Sequence, residues 1–484
     1  MRFLNKVKEF IEGKSRIRLN VELIIVWSVL LTIMYFVCND YIFARICILS
    51  STIIFIVEIY MIYKNTQMIF APIIIFLLSF YLFQTGTIFI KVLDSGYINY
   101  YLDSLIYLLP KAALFTSISN VLAGLAGVIV SSKNVSTLSP INRIDNNNPG
   151  MVSKLAAIPI IIFALVLIPF CLYEFIIYGI HGGRFEIIRF EDGLSLLIKF
   201  VRIFRILFGP FVLLYISFSD NKKNKRIFAI LLIVWCVLET LNGNRTNSLS
   251  ALLAIILLGY YRVIDKQKKK KIAIGVCGFG FILMTIIIVS ASFRIGGKDA
   301  VAIGSPLEII IRFVEELGGS SFVLFAAMHI VPGKESFLFG LEYLDGFLKG
   351  IIPSTLDFTG IIGKIASDFD IFDRWIEKHF AFNFGLGQSI NQEAYINFGW
   401  IGLIAIFFIC IFIFRNFSHK IIVDNKIDKY ALYKTSTLIA LFIMLPRQSL
   451  ITMWNGFFWG ILAINIYILV AKIIVDKLKE KYIK

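Results

Sequence analysis

Residues 272–297 read IAIGVCGFGFILMTIIIVSASFRIGG, and this stretch decides how the chain must fold. Ile272 to Ser290 carries no charge and is long enough to cross about 30 Å of hydrocarbon. Lys266 and Lys268–Lys271 stand just before it, which marks that end as the inner face. Arg294 stands just after it, at the head of an excursion of about a hundred residues, Ala291 to Asn397.

The same alternation runs outward in both directions. Spans are expected at 21–38, 42–63, 68–90, 112–131, 155–178, 197–217, 227–242, 247–263, 272–290, 398–414, 431–446 and 451–471. Hydrophobic residues make up 58% of the 484, and mean hydropathy is +0.82, well above globular usage. The fold class expected is an all-α polytopic integral membrane protein of about 12 transmembrane helices with one large extracytoplasmic loop.

Charge placement sets the orientation. With both termini inside, the inner loops hold most of the basic clusters, including Lys222, Lys223, Lys225 and Arg226. The long excursion carries eight Lys and Arg against thirteen Asp and Glu, a net charge of −5. The chain therefore divides into a membrane bundle (1–290), the outer loop (291–397) and a second bundle (398–484). The net charge of +16 is a topology signal under this reading, so no nucleic-acid partner is expected. The first apolar run is read as a retained span, because no small-residue cleavage site follows it.

The loop is rich in Phe, Ile and Leu. Apolar residues recur at helical spacing through 306–330, 337–352 and 369–380, which predicts two to four amphipathic helices on the outer membrane surface. The six cysteines lie singly with no C-x-x-C pair, and the four histidines share no ligand spacing. No Walker A or dinucleotide sequence occurs. Neither a metal nor a cofactor is expected.

Charges at membrane depth need a reason. Lys199, Arg202 and Arg205 recur every three residues, a stripe descending roughly 9 Å at about 1.5 Å per residue. Such a stripe suits a diphosphate or snorkels to headgroups. Asn242-Gly243-Asn244-Arg245 is a tight polar hairpin that places Arg245 at a helix start, where backbone N–H groups favour anions. Arg294 and Arg447, in Pro446-Arg447-Gln448-Ser449, fall at the same outer level, as do Arg184 and Arg189. Glu239 is expected to pair with a neighbouring arginine. Residues 385–399, GLGQSINQEAYINFG, hold one carboxylate, Glu393, in an amide-rich approach to the membrane. A low dielectric there strengthens its hold on a proton and suits a general base; a helix-start carboxylate is the plainer role. Glu315, Glu316, Asp368, Asp370 and Asp373 are acidic alternatives.

The topology, with Gly-Asn-Arg at 243–245, Phe-Arg at 293–294, the 385–399 patch and Pro-Arg-Gln-Ser before the last span, resembles the Wzy-type O-antigen and capsule repeat-unit polymerases. The resemblance implies a GT-C-like bundle in a bacterial cytoplasmic membrane. It implies an inverting, metal-independent glycosyltransferase that joins undecaprenyl-diphosphate-linked oligosaccharides, with membrane lipids, a chain-length regulator and a flippase as partners. Carried onto this chain, it assigns phosphate to Arg245, Arg294 and Arg447, then Arg189 and Arg205, and the base to Glu393. Arg184, Arg202, Asn244, Gln392 and Tyr395 complete the expected substrate contacts. Two alternatives are a glycan ligase, with His379 as its loop histidine, and a lipid-linked oligosaccharide flippase or carrier. Carriers favour related halves and midplane sites, whereas charge here gathers at the outer surface.

Overall fold

The computed structural model describes residues 2–94, 96–97, 100–132, 149–179, 195–265, 267–278, 280, 285, 306–352, 371–380, 387–417, 421–423 and 426–483. The first half runs α1 (Arg2–Val37), α2 (Asp40–Thr66), α3 (Pro72–Leu93), α4 (Leu109–Ser132), α5 (Pro149–Glu174), α6 (Ser195–Phe218), α7 (Lys222–Leu241) and α8 (Arg245–Tyr261). Next come α9 (Pro306–Gly318), α10 (Ser321–Ile330), α11 (Leu341–Ile351), α12 (Ile371–Phe380), α13 (Ile390–Phe398), α14 (Gly402–Asn416) and α15 (Lys429–Phe442). The last helix is continuous: α16 (Leu450–Asn455) passes through a π-helical stretch, Gly456–Ala463, into α17 (Ile464–Ile483). Among the described residues, strand is confined to a two-residue hairpin, Ile422–Val423 with Lys426–Ile427.

Eight described helices are long and apolar enough to cross a membrane: Ile17–Val37, Asp40–Thr66, Pro72–Leu93, Ile106–Ser132, Gly150–Ile177, Phe200–Phe218, Ile390–Asn416 and Leu450–Lys477. The protein is an all-α polytopic membrane protein. α7, α8 and α15 occupy three further expected spans, but each is shorter or more charged. Most of the expected span at 272–290 lies outside the described residues.

Element ends follow local chemistry. The Asn39 side chain accepts the Ile42 N–H at 2.9 Å to start α2, Gln67 closes it in the left-handed region, and Pro72 opens α3 at a position that needs no N–H. α2 and α4 run parallel in a constant register. Ser51 meets Ser117 at 3.2 Å, Glu58 covers Gly124, and Asn65 meets Ser131 at 3.0 Å. Hydrogen bonds between helices in a membrane are worth about 0.6 kcal/mol each, so close packing over small residues does more to set this register.

The expected amphipathic stretch 306–330 breaks at Gly318-Gly319. α9 keeps two faces, whereas α10 is buried on all sides apart from His329. α9 joins the bundle backbone to backbone: a Cβ at Gly318 would stand 2.2 Å from the Thr87 nitrogen and 2.7 Å from the Gly86 carbonyl carbon. α11 packs on α16 in the same manner, through Gly346 and Gly350 against Ile451 and Trp454. Its outward face is apolar, with Leu344 50% exposed and the preceding Phe339 78% exposed. Glu342 and Asp345 are turned inward, and Lys349 lies 2.8 Å from Asp345. That polarity suits lipid outside and polar protein inside.

Gly318→Ala should force α9 away from α3 and lower the melting temperature in detergent, at a cost of about 1–3 kcal/mol. Gly319→Ala is the control, since its nearest atoms stand 3.7 Å away or more. A G318A melt matching wild type would show that α9 does not depend on this contact.

Candidate active site

Opposite ends of one helical hairpin orient the site. At the far end of α7, Asp220 accepts from the Lys429 ammonium at 3.1 Å. There too, Arg262 donates to the Ile216 carbonyl and to that of Ser217, the latter at 3.3 Å. α15 starts from this end, packs along α8, and leaves its last turn and Arg447 at the end where α7 and α8 meet.

At that second end, Gly243 (φ 80°) makes the sharp turn between α7 and α8. The Asn244 N–H donates to the Glu239 carbonyl at 2.8 Å, and its side-chain amide donates to the Glu239 carboxylate at 2.7 Å. Arg205 lies between two fully buried carboxylates, with Nη2 2.7 Å from Glu174 and Nε 2.8 Å from Glu239. Asn242 donates to Glu174 at 3.2 Å and to the Cys171 carbonyl at 3.0 Å, while the Cys171 thiol donates to Glu239 at 3.1 Å. One guanidinium thus meets two carboxylates, and the hairpin before Arg245 is anchored to them. Glu239 does pair with an arginine, as its position suggested, and that arginine is Arg205. The expected stripe divides: Arg202 is exposed while Arg205 turns into the core.

The second cluster lies around Glu393. Ser389 and Gln392 close a reciprocal capping box at the start of α13, with both bonds at 3.2 Å. Glu393 follows, 2% exposed, and both its carboxylate oxygens accept the Leu450 N–H at 3.1 Å. It therefore caps the final helix from a different segment, where the helix dipole favours negative charge. Arg447 lies three residues before Leu450, in a 3-10 turn whose Pro446 carbonyl accepts from Gln84. Asp345 and Tyr343 of α11 are close enough to Glu393 to interact electrostatically. The Asn397 side chain bridges onward, donating to the Glu393 carbonyl at 2.7 Å and accepting the Gly340 N–H at 2.9 Å.

A small apolar cluster of Phe83, Leu249, Phe313 and Leu317, with Met444 packed against it, joins the two clusters. Leu249 is one helical turn past Arg245, and Met444 is three residues before Arg447. Arg205, Glu239, Asn244, the Arg245 backbone, Glu393, Gln392 and Arg447 are thus gathered at one end of the bundle. Tyr395 is buried nearby, 5.5 Å from the Phe115 ring. Arg184, Arg189 and Arg294 lie outside the described residues, as do Asp368 and Asp370. Among the described residues no group of three His, Cys, Asp or Glu could hold a metal ion. Glu174, Asp345 and Gln84 escaped the sequence reading, and Asn242 entered it only as part of the hairpin. Glu174 carried a signal, being a lone carboxylate at the end of an apolar window; the others carried none.

His379 is engaged elsewhere: its Nε2 lies 3.0 Å from Glu335, which also takes the Lys378 ammonium at 2.7 Å. Those two hydrogen bonds hold the Glu335 carboxyl below its ordinary value. His329 bridges the Tyr107 hydroxyl and the Lys334 ammonium, 2.6 Å from its Nε2. An ammonium only donates, so Nε2 accepts and the ring is neutral. Burial, with Lys334 and His379, pushes His329 below its ordinary 6.5.

The chain is thus a polytopic membrane protein with paired ion clusters at one end of its bundle. It belongs to the family described as O-antigen polysaccharide polymerase Wzy, whose model matches residues 21–479. No curated protein and no solved structure matches it.

Two predictions follow from these clusters. Arg205→Met should leave two buried carboxylates uncompensated and destabilise the protein by about 3–5 kcal/mol in detergent melts, with Glu174→Gln and Glu239→Gln added to it recovering much of the loss. A lowered histidine takes up protons more readily in the unfolded chain, so His329 contributes stability that falls as pH drops toward 6.5 and below. Hydrogen exchange at 321–335 should quicken between pH 7.5 and 5.5 after correction for intrinsic rates, and His329→Gln should flatten that change.

Proposed function

We propose that this polysaccharide polymerase joins undecaprenyl-diphosphate-linked repeat units by glycosyl transfer at the outer face of a bacterial cytoplasmic membrane. Glu393 takes the proton from the acceptor hydroxyl, and that oxygen forms the new bond to the anomeric carbon of the growing glycan. The bond from that carbon to undecaprenyl diphosphate breaks, and the diphosphate leaves with the electron pair. Arg245, Arg294 and Arg447 meet its developing charge, with Arg184, Arg189 and Arg202 guiding the lipid-linked anion toward them. Attack opposite the leaving group inverts the anomeric centre and needs no metal.

The observation that carries this reading is the tether from Glu393 to Leu450, three residues past Arg447. That tether joins the Glu393 carboxylate to the segment that carries Arg447, near the hairpin that precedes Arg245, and so supports reading the two as base and anion binder. Arg205 serves this site indirectly, because its charge is taken up by Glu174 and Glu239 while it holds the hairpin in place. The proposed topology keeps twelve crossings with both termini inside, a bundle at 1–290, the extracytoplasmic loop at 291–397 and a bundle at 398–484. A flippase would supply the substrate and a chain-length regulator would limit the product. The ligase alternative would use His379, which is paired with Glu335, as its loop histidine.

Purified protein in proteoliposomes, given its lipid-linked repeat unit, should produce a ladder of glycans. Glu393→Gln keeps one acceptor oxygen for Leu450 and should lower the rate about 10²–10⁴-fold. Arg447→Ala should lower it about 10²-fold. Full activity in E393Q would remove Glu393 from the chemistry. Transfer of the repeat across the bilayer with no ladder would point to a flippase instead.

A further inference from the structure

Four helices come together at the end of the bundle away from Arg245 and Arg447. α6 finishes at Phe218, α7 starts at Lys222, α8 finishes at Tyr261 and α15 starts at Lys429. α6, α8 and α15 pack on one another, and α7 packs on α6 and α8. Lys429 donates to the Phe218 carbonyl at 3.3 Å and to the two Asp220 oxygens at 3.1 and 3.2 Å. Arg262 donates to the Ser217 carbonyl at 3.3 Å and to that of Ile216. Two cations therefore share three successive carbonyls at the end of α6, where the helix dipole favours them.

Lys225 brings a third cation to the same place and has no such use. It is partly buried, and its ammonium has no hydrogen-bond or ion-pair partner among the described residues. It lies close enough to Arg262, Asp220, Lys429 and Lys222 to interact electrostatically with each. Burial, followed by Arg262, pushes Lys225 below its ordinary 10.5, and Asp220 offsets only part of this. Asp220 is the one carboxylate among the charges that Lys225 senses. Asp428 is taken up by the Ala431 N–H and Asp265 by the Gln267 N–H. Topology explains why cations lie on this side, but not why four of them, from three separate segments, converge at a mutual cost.

The surroundings indicate what offsets that cost. The apolar span Phe200–Phe218 stops at this level, so the cations stand at headgroup depth. Ile227 and Ile230 on α7 and Ile264 beyond α8 are exposed apolar side chains beside them. A soluble anion would match the cations alone, whereas a phosphate joined to acyl chains matches both surfaces.

We propose that Lys222, Lys225, Arg262 and Lys429 clamp the phosphate of an anionic phospholipid. The clamp itself needs no part of the polymerase reading; only its leaflet, the inner one, follows from the proposed topology. The helices it joins carry Arg205, Glu239 and Arg245 and lead to Arg447. A bound lipid thus braces, from the opposite side of the membrane, the helices that form the candidate active site.

The test titrates the purified full-length protein in detergent with phosphatidylglycerol, phosphatidylcholine or inorganic phosphate. Binding is read by native mass spectrometry and by melting. Phosphatidylglycerol should bind and raise the melting temperature, and the other two should do neither. Lys225→Gln removes a charge that makes no structural hydrogen bond, so the lipid-free variant should melt at the wild-type temperature or higher. Its Kd for phosphatidylglycerol should rise about fivefold, and that of Lys222→Gln should rise as well. Lys223→Gln makes the same change in net charge on an exposed side chain outside the cluster and should leave the Kd unchanged. Equal weakening by K223Q and K225Q would show diffuse attraction to a basic surface and overturn the proposal, as would wild-type binding by K225Q. Protection by inorganic phosphate alone would give the clamp to a soluble anion and overturn the lipid assignment. The polymerase reading fails separately: wild type that makes no ladder, yet binds phosphatidylglycerol through Lys225, would keep the clamp and lose the reaction.

Discussion

Two carboxylates, Glu174 and Glu239, are buried at the ends of apolar helices with the Arg205 guanidinium between them. Removing two acids from water costs several kcal/mol each, and that cost is offset only while α5, α6 and α7 remain in register around one cation. Asn242 and Asn244 extend the cluster into the hairpin, so the turn that presents Arg245 is set by charges buried beneath it. Mobile lipid-facing helices could not fix a hairpin this closely. Three helices locked to a shared ion cluster can, and the remaining features of this end of the bundle are arranged around that fixed point.

Helices α9 and α11 are held just as firmly, by a different means. α9 and α11 approach the bundle through glycines, where backbone meets backbone and a methyl group would collide. α10 lies buried among α3, α4 and α13. Residues 306–330 are therefore packed against the bundle, α10 on nearly all sides. Glu393 completes the connection, since its carboxylate caps the helix that begins at Leu450 and ties α13 to the final span. A carboxylate that accepts a backbone N–H at a helix start is held in place by the helix it caps.

Much of the fold was legible in advance. The apolar windows at Asp40–Thr66 and Pro72–Leu93 were evident because the free energy of moving residues into hydrocarbon accumulates along the chain. The Gly243 turn, the helix start at Arg245 and the Ser389–Gln392 box were likewise local, written in a few neighbouring residues. The break of 306–330 into two helices was not anticipated, because Gly318 is required there by contact with Gly86, over two hundred positions away. The Lys199, Arg202 and Arg205 spacing showed a stripe, yet Arg202 faces outward and Arg205 inward, since Glu174 and Glu239 draw the latter away.

The sequence by itself determined that this is a helical membrane protein, that its basic loops alternate with apolar runs, and that its short patches are those of the polysaccharide polymerase family. These are sums and patterns over adjacent residues, and no partner has to be known to read them. Tertiary structure alone decided which charge meets which: Arg205 with Glu174 and Glu239, Glu393 with the Leu450 N–H, and His379 with Glu335. Such pairings depend on helices distant in sequence arriving at the same place. In a low-dielectric interior, a difference of one or two ångströms separates a neutralised charge from one that is available to a substrate.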